Sequence, residues 1–179
     1  GENRKLNIAN GRMLKRIIIE LDLANKKFNL NWPLFIEADH HGPLARVPLL
    51  YVEIGSSEKE WDDGQAGEVV ANAVYNAVAK MKSGNETRDT KLETVFGIGG
   101  GHYAREFTKL VLERDDIAVG HICPKYAIDS LDGELFKQAI EKSVDPIDKI
   151  LMLKESANSK QKQKIKRLSE DHGIMYEEI

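Results

Sequence analysis

The sequence predicts an α/β protein, a three-layer α/β/α sandwich around a mixed, largely parallel sheet, and three observations carry that expectation. Short apolar runs of strand length alternate with longer stripes of helical spacing, as they do where crossover helices join strands of one sheet. With 179 residues and 41% hydrophobic side chains, the chain has the size of one domain and can bury a sizeable core. The run Val95-Phe96-Gly97-Ile98 enters Gly99-Gly100-Gly101 and then His102 as a helical pattern begins. Three glycines together mark a specialised strand-to-helix turn, because only glycine reaches positive φ cheaply.

The elements follow in order. Residues 1–8 are polar and are expected to be loosely held unless they pack as an edge, within a single domain spanning 1–179. From Asn10, the residues Met13, Leu14, Ile17, Ile18 and Leu21 recur at helical spacing, and the length of that pattern favours helix. Residues 34–38 read as a first strand ending at Asp39-His40-His41-Gly42-Pro43, and residues 49–54 as a second, close enough to form an antiparallel pair or to join through an irregular loop. Ser57 with Glu60 fits a capping box ahead of one long apolar stripe, Ala66, Val69, Val70, Ala73, Val74, Ala77, Val78 and Met81. A third strand covers 94–98, and Tyr103, Phe107, Leu110 and Val111 give the next helix its inner face. A fourth strand covers 117–122, and Leu135, Phe136, Ala139 and Ile140 mark a helix stopped before Pro146. Residues 150–153 are a short fifth strand, 159–172 a basic helix closed by Gly173, and 174–176 an edge strand.

A formal net charge of -3 argues neither for nor against nucleic acid, so any basic surface must be local. The single cysteine, Cys123, allows no disulfide within the chain and no Cys-rich zinc site, and suits a reducing interior. No run approaches the roughly 18 apolar residues of a membrane span, and no signal-peptide core opens the chain, so a cytoplasmic protein without a membrane partner is expected.

In open α/β sheets, ligands bind beyond the carboxyl ends of the strands. His40 and His41 follow the first strand, Glu53 lies near the end of the second, Gly99 to His102 follow the third, and His121 lies near the end of the fourth. Of the five histidines, only His172 lies elsewhere. Each feature also has a structural explanation: a solvated His-His-Gly-Pro turn, an alternating surface carboxylate at Glu53, a hydrogen-bonded core histidine at His121, a tight turn at the glycines. As a group they suit two chemistries, zinc bound by neutral imidazoles or one imidazole acting as general base. No HExxH spacing is present. Cys123 stands two residues after His121, but nothing else in the sequence activates its thiol. The glycine run lacks the last glycine and the acidic partner of a dinucleotide fingerprint.

His40-His41-Gly42-Pro43, Val52-Glu53-Ile54-Gly55-Ser56 with Glu60-Trp61, Gly99-Gly100-Gly101-His102-Tyr103-Ala104, and Gly120-His121-Ile122 with Pro124-Lys125-Tyr126 occur in an order and spacing that resembles the D-aminoacyl-tRNA deacylases of the archaeal and plant type. The resemblance runs from about Phe35 to the carboxyl end. It implies a sandwich similar to the phosphorylase/peptidyl-tRNA hydrolase-like folds, a zinc cofactor, and hydrolysis of the ester joining a D-amino acid to the 3′ end of tRNA. Leu44 stands where the family pattern has threonine, and Arg105-Glu106 where it has Pro-Arg. Family members are longer, and an amino-terminal portion is expected to be missing here.

On this resemblance, water attacks the ester at the cluster of His40, His41, His102 and His121, the same four residues being the candidate zinc ligands. His102 or His41 is the general base or a ligand, and Glu53 orients it or ligates as well. Gly99, Gly100 and Gly101 hold the carbonyl oxygen or the terminal ribose, with Tyr103, His121 and Lys125 also on the substrate side. Arg12, Lys15, Arg16 and the basic residues Lys160, Lys162, Lys164, Lys166 and Arg167 are candidate phosphate contacts, although charge runs are commonly solvated helix faces. The partner expected is the D-aminoacylated 3′ end of tRNA, with no DNA, and the chain is expected to act as a monomer. Two other readings stay open: a hydrolase or phosphorylase of a small molecule on the same fold, and a non-catalytic RNA-binding relative.

Overall fold

The computed structural model describes residues 2–38, 42–82 and 92–179. Its centre is a four-stranded sheet of β1 (Glu93–Ile98), β2 (Ile117–Cys123), β3 (Lys149–Met152) and β4 (Met175–Glu178), in the order β2-β1-β3-β4. Every pairing in that sheet is parallel. Side chains alternate across it as the pleat requires. Val95 and Leu151 face one layer, where Ile18, Phe107 and Val111 join them from α1 (Gly11–Phe28) and α4 (Arg105–Glu113). Phe96, Ile150 and Met152 face the other, against Phe136 of α5 (Gly133–Glu141) and Ile165 of α6 (Ser159–Asp171). The three-layer sandwich expected from the sequence is therefore present. The short α2 (Glu58–Trp61) and the longer α3 (Gly64–Lys82) lie in the remaining segment, and α3 packs on α1 through Ala73 and Ala77 against Ile17 and Leu21.

Three expectations need correction. Residues 34–38 and 49–54 are not strands of the sheet: among the described residues the first makes one antiparallel bridge, Glu37 with Tyr103, and the second none. Their sequences favour extended backbone, but Pro33, Pro43 and Pro48 interrupt the chain around them and remove donors that a continuous ladder would need. Among the described residues the sheet is thus parallel rather than mixed. The capping box and the stripe belong to two helices: Ser57 and Glu60 start the short α2, while the stripe from Ala66 to Met81 forms α3, which Asp63 caps by accepting from the amides of Gln65 (2.9 Å) and Ala66 (3.0 Å). The amino-terminal segment is tied down. Lys142 donates to the Leu6 carbonyl (2.7 Å), and Ile8 and Ala9 form bridges with Pro48 and Ser143.

Lys15 is a structural residue. Its side chain is buried under α1, and Nζ donates to the carbonyls of Val111 (3.1 Å), Ile117 (2.8 Å) and Arg114. These are the unsatisfied carbonyls at the end of α4 and the first residue of β2, so one ammonium closes the helix-to-strand corner. Burial pushes its pKa below the ordinary lysine value. Replacing it by Met keeps the apolar stem and strands those acceptors; Lys15→Met is expected to lower unfolding free energy by about 3 kcal/mol. Urea denaturation reads this directly, and a loss below about 0.5 kcal/mol would show that the corner does not depend on the ammonium.

Candidate functional site

The chain leaves β1 through two residues in the left-handed region, Gly99 (φ +119) and Gly100 (φ +73). A Cβ on Gly99 would lie 2.7 Å from that of Ser156, so the position is closed to other residues by conformation and by space. The Gly99 amide donates to the Cys123 carbonyl (2.8 Å), the Gly100 amide to Ser156 Oγ (2.9 Å), and the Gly100 carbonyl accepts from the Lys125 amide (2.9 Å). The turn ties the carboxyl ends of β1 and β2 to the loop after β3. Two of its three amides are committed within the protein.

Beyond this turn, the backbone pairs with the extended segment 34–38. The Ala38 amide donates to the His102 carbonyl (3.0 Å) and the Ala104 amide to the Ile36 carbonyl (2.9 Å). Buried Thr108 completes the clamp: its Oγ1 donates to the Ala104 carbonyl (2.9 Å) and accepts from the Ile36 amide (2.8 Å). That register brings Glu37 to His102, with Oε2 3.3 Å from Nε2 and both side chains about a third exposed, at 36% and 35%. The contact is an ion pair once the His102 ring is protonated. The His102 ring meets Tyr103 edge-on (5.1 Å between centroids), Tyr103 packs on Phe35 (5.3 Å), and the Arg105 guanidinium lies over Phe35 (5.0 Å).

His121 is placed by an irregularity that sequence spacing does not reveal. Val95 pairs with Val119 but Gly97 with Ile122, so Gly120 and His121 together oppose Phe96 in a bulge. The His121 Nε2 donates to the Lys142 carbonyl at the end of α5 (2.9 Å), which leaves Nδ1 as its basic nitrogen.

A cleft of about 1720 Å³ opens between the extended segments and the carboxyl ends of β1 and β2, and Glu37, Glu53, His102, Tyr103 and His121 all line it. Gly99, Gly100, Gly101 and Lys125 do not line it. His40 and His41 lie outside the described residues. Among the described residues no three His, Cys, Asp or Glu side chains converge as a metal would require. The proton on Nε2 of His121 is held by a carbonyl oxygen, the arrangement seen when a histidine ligates through its other nitrogen.

The sequence reading missed Glu37, Thr108 and the Arg105 stack. A lone carboxylate inside the apolar run 34–38 was the available signal for Glu37; nothing local distinguishes Thr108 from an ordinary helix residue. Several basic candidates are committed internally. Besides Lys15, Arg12 pairs with Asp145 (2.9 Å), Lys162 with Glu178 (3.2 Å), and Lys164 donates to the carbonyls of Ile128 and Asp129 (3.0 Å each). Lys160 and Lys166 are exposed on α6 and have no ion-pair partner among the described residues. Among the described residues no helix is long and apolar enough to cross a membrane.

The chain is a parallel α/β sandwich with a histidine–carboxylate pair on an open cleft, and the turned-in glycine amides separate it from a dinucleotide-binding class. The chain belongs to the D-aminoacyl-tRNA deacylase family, whose model matches residues 1–177. It is 37% identical over 177 residues to the D-aminoacyl-tRNA deacylase of Thermococcus onnurineus (98% of this chain, 61% of that protein). It is 37% identical over 166 residues to that of Saccharolobus solfataricus (92% and 64%), and 36% identical over 172 residues to that of Methanosarcina barkeri (96% and 52%). The chain thus spans 52% to 64% of the length of these relatives. The crystal structure of a conserved protein of unknown function superposes with a TM-score of 0.86 at 27% identity, covering 99% of this chain and 60% of that one.

Cys123 can be removed from the chemistry. Burial pushes its thiol up to about 12, so the thiolate is scarce at neutral pH. Native protein is expected to resist iodoacetamide at pH 8.5 and to react fully in denaturant; rapid modification of the native state would contradict this burial. Because the folded thiol is harder to ionise than the unfolded one, this contribution to stability is complete below the ordinary thiol value of 9.0 and is lost as pH rises toward 12.

Proposed function

We propose that this chain hydrolyses the ester between a D-amino acid and the 3′ end of tRNA, releasing both. What supports the reading is the family match over residues 1–177, combined with the His102–Glu37 pair on the cleft. Neutral His102 takes a proton on Nδ1 from the attacking water, and the water oxygen adds to the ester carbonyl carbon. The Glu37 carboxylate holds the Nε2 proton and stabilises the imidazolium that forms. As the tetrahedral intermediate collapses, the bond to the ribose 3′ oxygen breaks and the imidazolium returns the proton to that oxygen. Glu53 is a further carboxylate on the cleft, and His121 borders the same space. The zinc that the family resemblance implies would be bound through Nδ1 atoms such as that of His121; no step above depends on it, and metal analysis of the purified protein tests its presence. On this reading the protein works in the cytoplasm, as a monomer, on tRNA rather than DNA.

Single-turnover deacylation of D- and L-aminoacyl-tRNA is the direct test. The D-ester is expected to be cleaved and the L-ester spared; His102→Ala lowers the rate by about 10²- to 10⁴-fold and Glu37→Gln by about 10- to 100-fold. Unchanged rates in His102→Ala would refute the assigned base. Binding of tRNA without cleavage of either ester would favour the non-catalytic RNA-binding reading, and cleavage only of small esters the small-molecule hydrolase.

Phosphate contact is expected from Lys160 and Lys166, the lysines of α6 not committed internally. Their joint replacement by Ala is expected to reduce the slope of log Kd against log salt by about 1 to 2. A slope identical to that of the parent protein would place the tRNA elsewhere.

A further inference from the structure

We infer that Arg105, Phe35 and Tyr103 form a stacking platform and path for the single-stranded 3′ end of the nucleic acid, with Tyr103 receiving the base of the nucleotide that carries the ester. The inference rests on the deacylase reading and extends it to a part of the substrate remote from the reacting bond.

The observations are geometric. Tyr103 is 45% exposed at the lip of the cleft, yet its ring is held in place: Phe35 backs it at 5.3 Å and His102 meets it at 5.1 Å. Phe35 is in turn covered by the Arg105 guanidinium at 5.0 Å. Four planar groups therefore follow one another, from a cation at one end to the proposed base at the other. An exposed aromatic ring that is rigidly supported loses little freedom when a planar ligand stacks on it, and every nucleobase offers such a face. The spacing also suits one nucleotide. An ester attacked at His102 belongs to a ribose, and the base on that ribose lies about one ring's distance away, where Tyr103 is found.

The far end of the ladder continues into a second, smaller hollow of about 300 Å³, lined by Phe35, Arg105, Thr108, Lys109 and Glu113 among others. Lys109 and Glu113 face each other there at 3.9 Å, and both are largely exposed. Leu34, Phe35 and Leu112 make most of its wall apolar, and the cations beside it are Arg105 and Lys109, the latter opposite Glu113, so a strand passing there meets the Arg105 guanidinium first. Aromatic faces beside a cationic groove are the combination with which proteins hold unpaired strands without reading their sequence. The hollow continues the platform away from the cleft, so the strand's path runs from the ester at His102, over Tyr103, toward Arg105.

Binding is measured with uncharged tRNA carrying 2-aminopurine as its 3′-terminal base and with the same tRNA lacking its single-stranded 3′ end. Wild-type protein is expected to quench the fluorophore and to bind intact tRNA more tightly than truncated tRNA. Tyr103→Leu abolishes the quenching and weakens binding of intact tRNA by about 10- to 100-fold, while binding of truncated tRNA is unchanged. Tyr103→Phe keeps both the quenching and the affinity, which separates the ring face from the hydroxyl. Arg105→Ala weakens intact tRNA alone. Equal affinity of the wild type for the two tRNAs overturns the platform, as does an equal loss for both in Tyr103→Leu. A Tyr103→Leu defect confined to charged tRNA overturns it too, because the ring would then hold the amino acid. Quenching and preference for intact tRNA without cleavage of any ester would retain the platform and reject the deacylase reading.

Discussion

The left-handed turn at Gly99–Gly100 is the constraint from which the rest of the site follows. Once the amides of these glycines are bonded to Cys123 and Ser156, the chain must leave β1 in one direction, across the carboxyl edge of the sheet. That direction lays residues 102–104 against the extended segment 34–38, and the pairing of Ala38 with His102 and of Ala104 with Ile36 sets the register. A register slip of one residue would turn Glu37 away from His102, since successive extended residues face opposite sides. Thr108 prevents the slip from within α4, because its hydroxyl accepts the Ile36 amide and donates to Ala104. The histidine–carboxylate pair is thus a consequence of backbone geometry several residues away.

The parallel sheet was legible because β1, β2 and β3 are short, almost wholly apolar runs alternating with amphipathic helices, and burial on both faces demands that composition. Residues 34–38 and 49–54 carry the same apolar, extended signal without joining the sheet. Local preference specifies extended backbone, but which acceptors it pairs with is decided by tertiary contacts. His102 and His121 could be assigned to the strand ends from sequence. The bulge at Gly120–His121 could not, nor could the partnership with Glu37, because one needs the strand register and the other a contact across 65 positions of chain, from 37 to 102. The stripe from Ala66 to Met81 forms one helix as its period predicts; periodicity hides only where that helix starts, because Asp63 offers a side-chain acceptor to two amides and separates it from the capping box at Ser57.

Charge counting misleads in this protein for a related reason. Lys15 and Lys164 hold backbone carbonyls, Lys142 binds the amino-terminal strand-like segment, and Arg12 and Lys162 are paired with carboxylates. Cations so used close helix ends and join layers, and they contribute little outward field. With a net charge of -3, attraction to a polyanion must then come from a few exposed cations on one surface rather than from the whole molecule.

The same internal bonding shapes the candidate site. The carbonyl of Lys142 accepts both the Ala9 amide and His121 Nε2, so the end of α5, the amino-terminal segment and a cleft histidine share one oxygen. His102 meets a side-chain carboxylate and His121 a backbone carbonyl. The two orienting groups differ in what they do once a proton arrives. An imidazolium at His102 gains a full carboxylate partner in Glu37, whereas one at His121 gains only a carbonyl dipole. The two histidines on the cleft thus meet different partners, a carboxylate at His102 and a carbonyl dipole at His121, and the backbone register sets that difference rather than position along the chain.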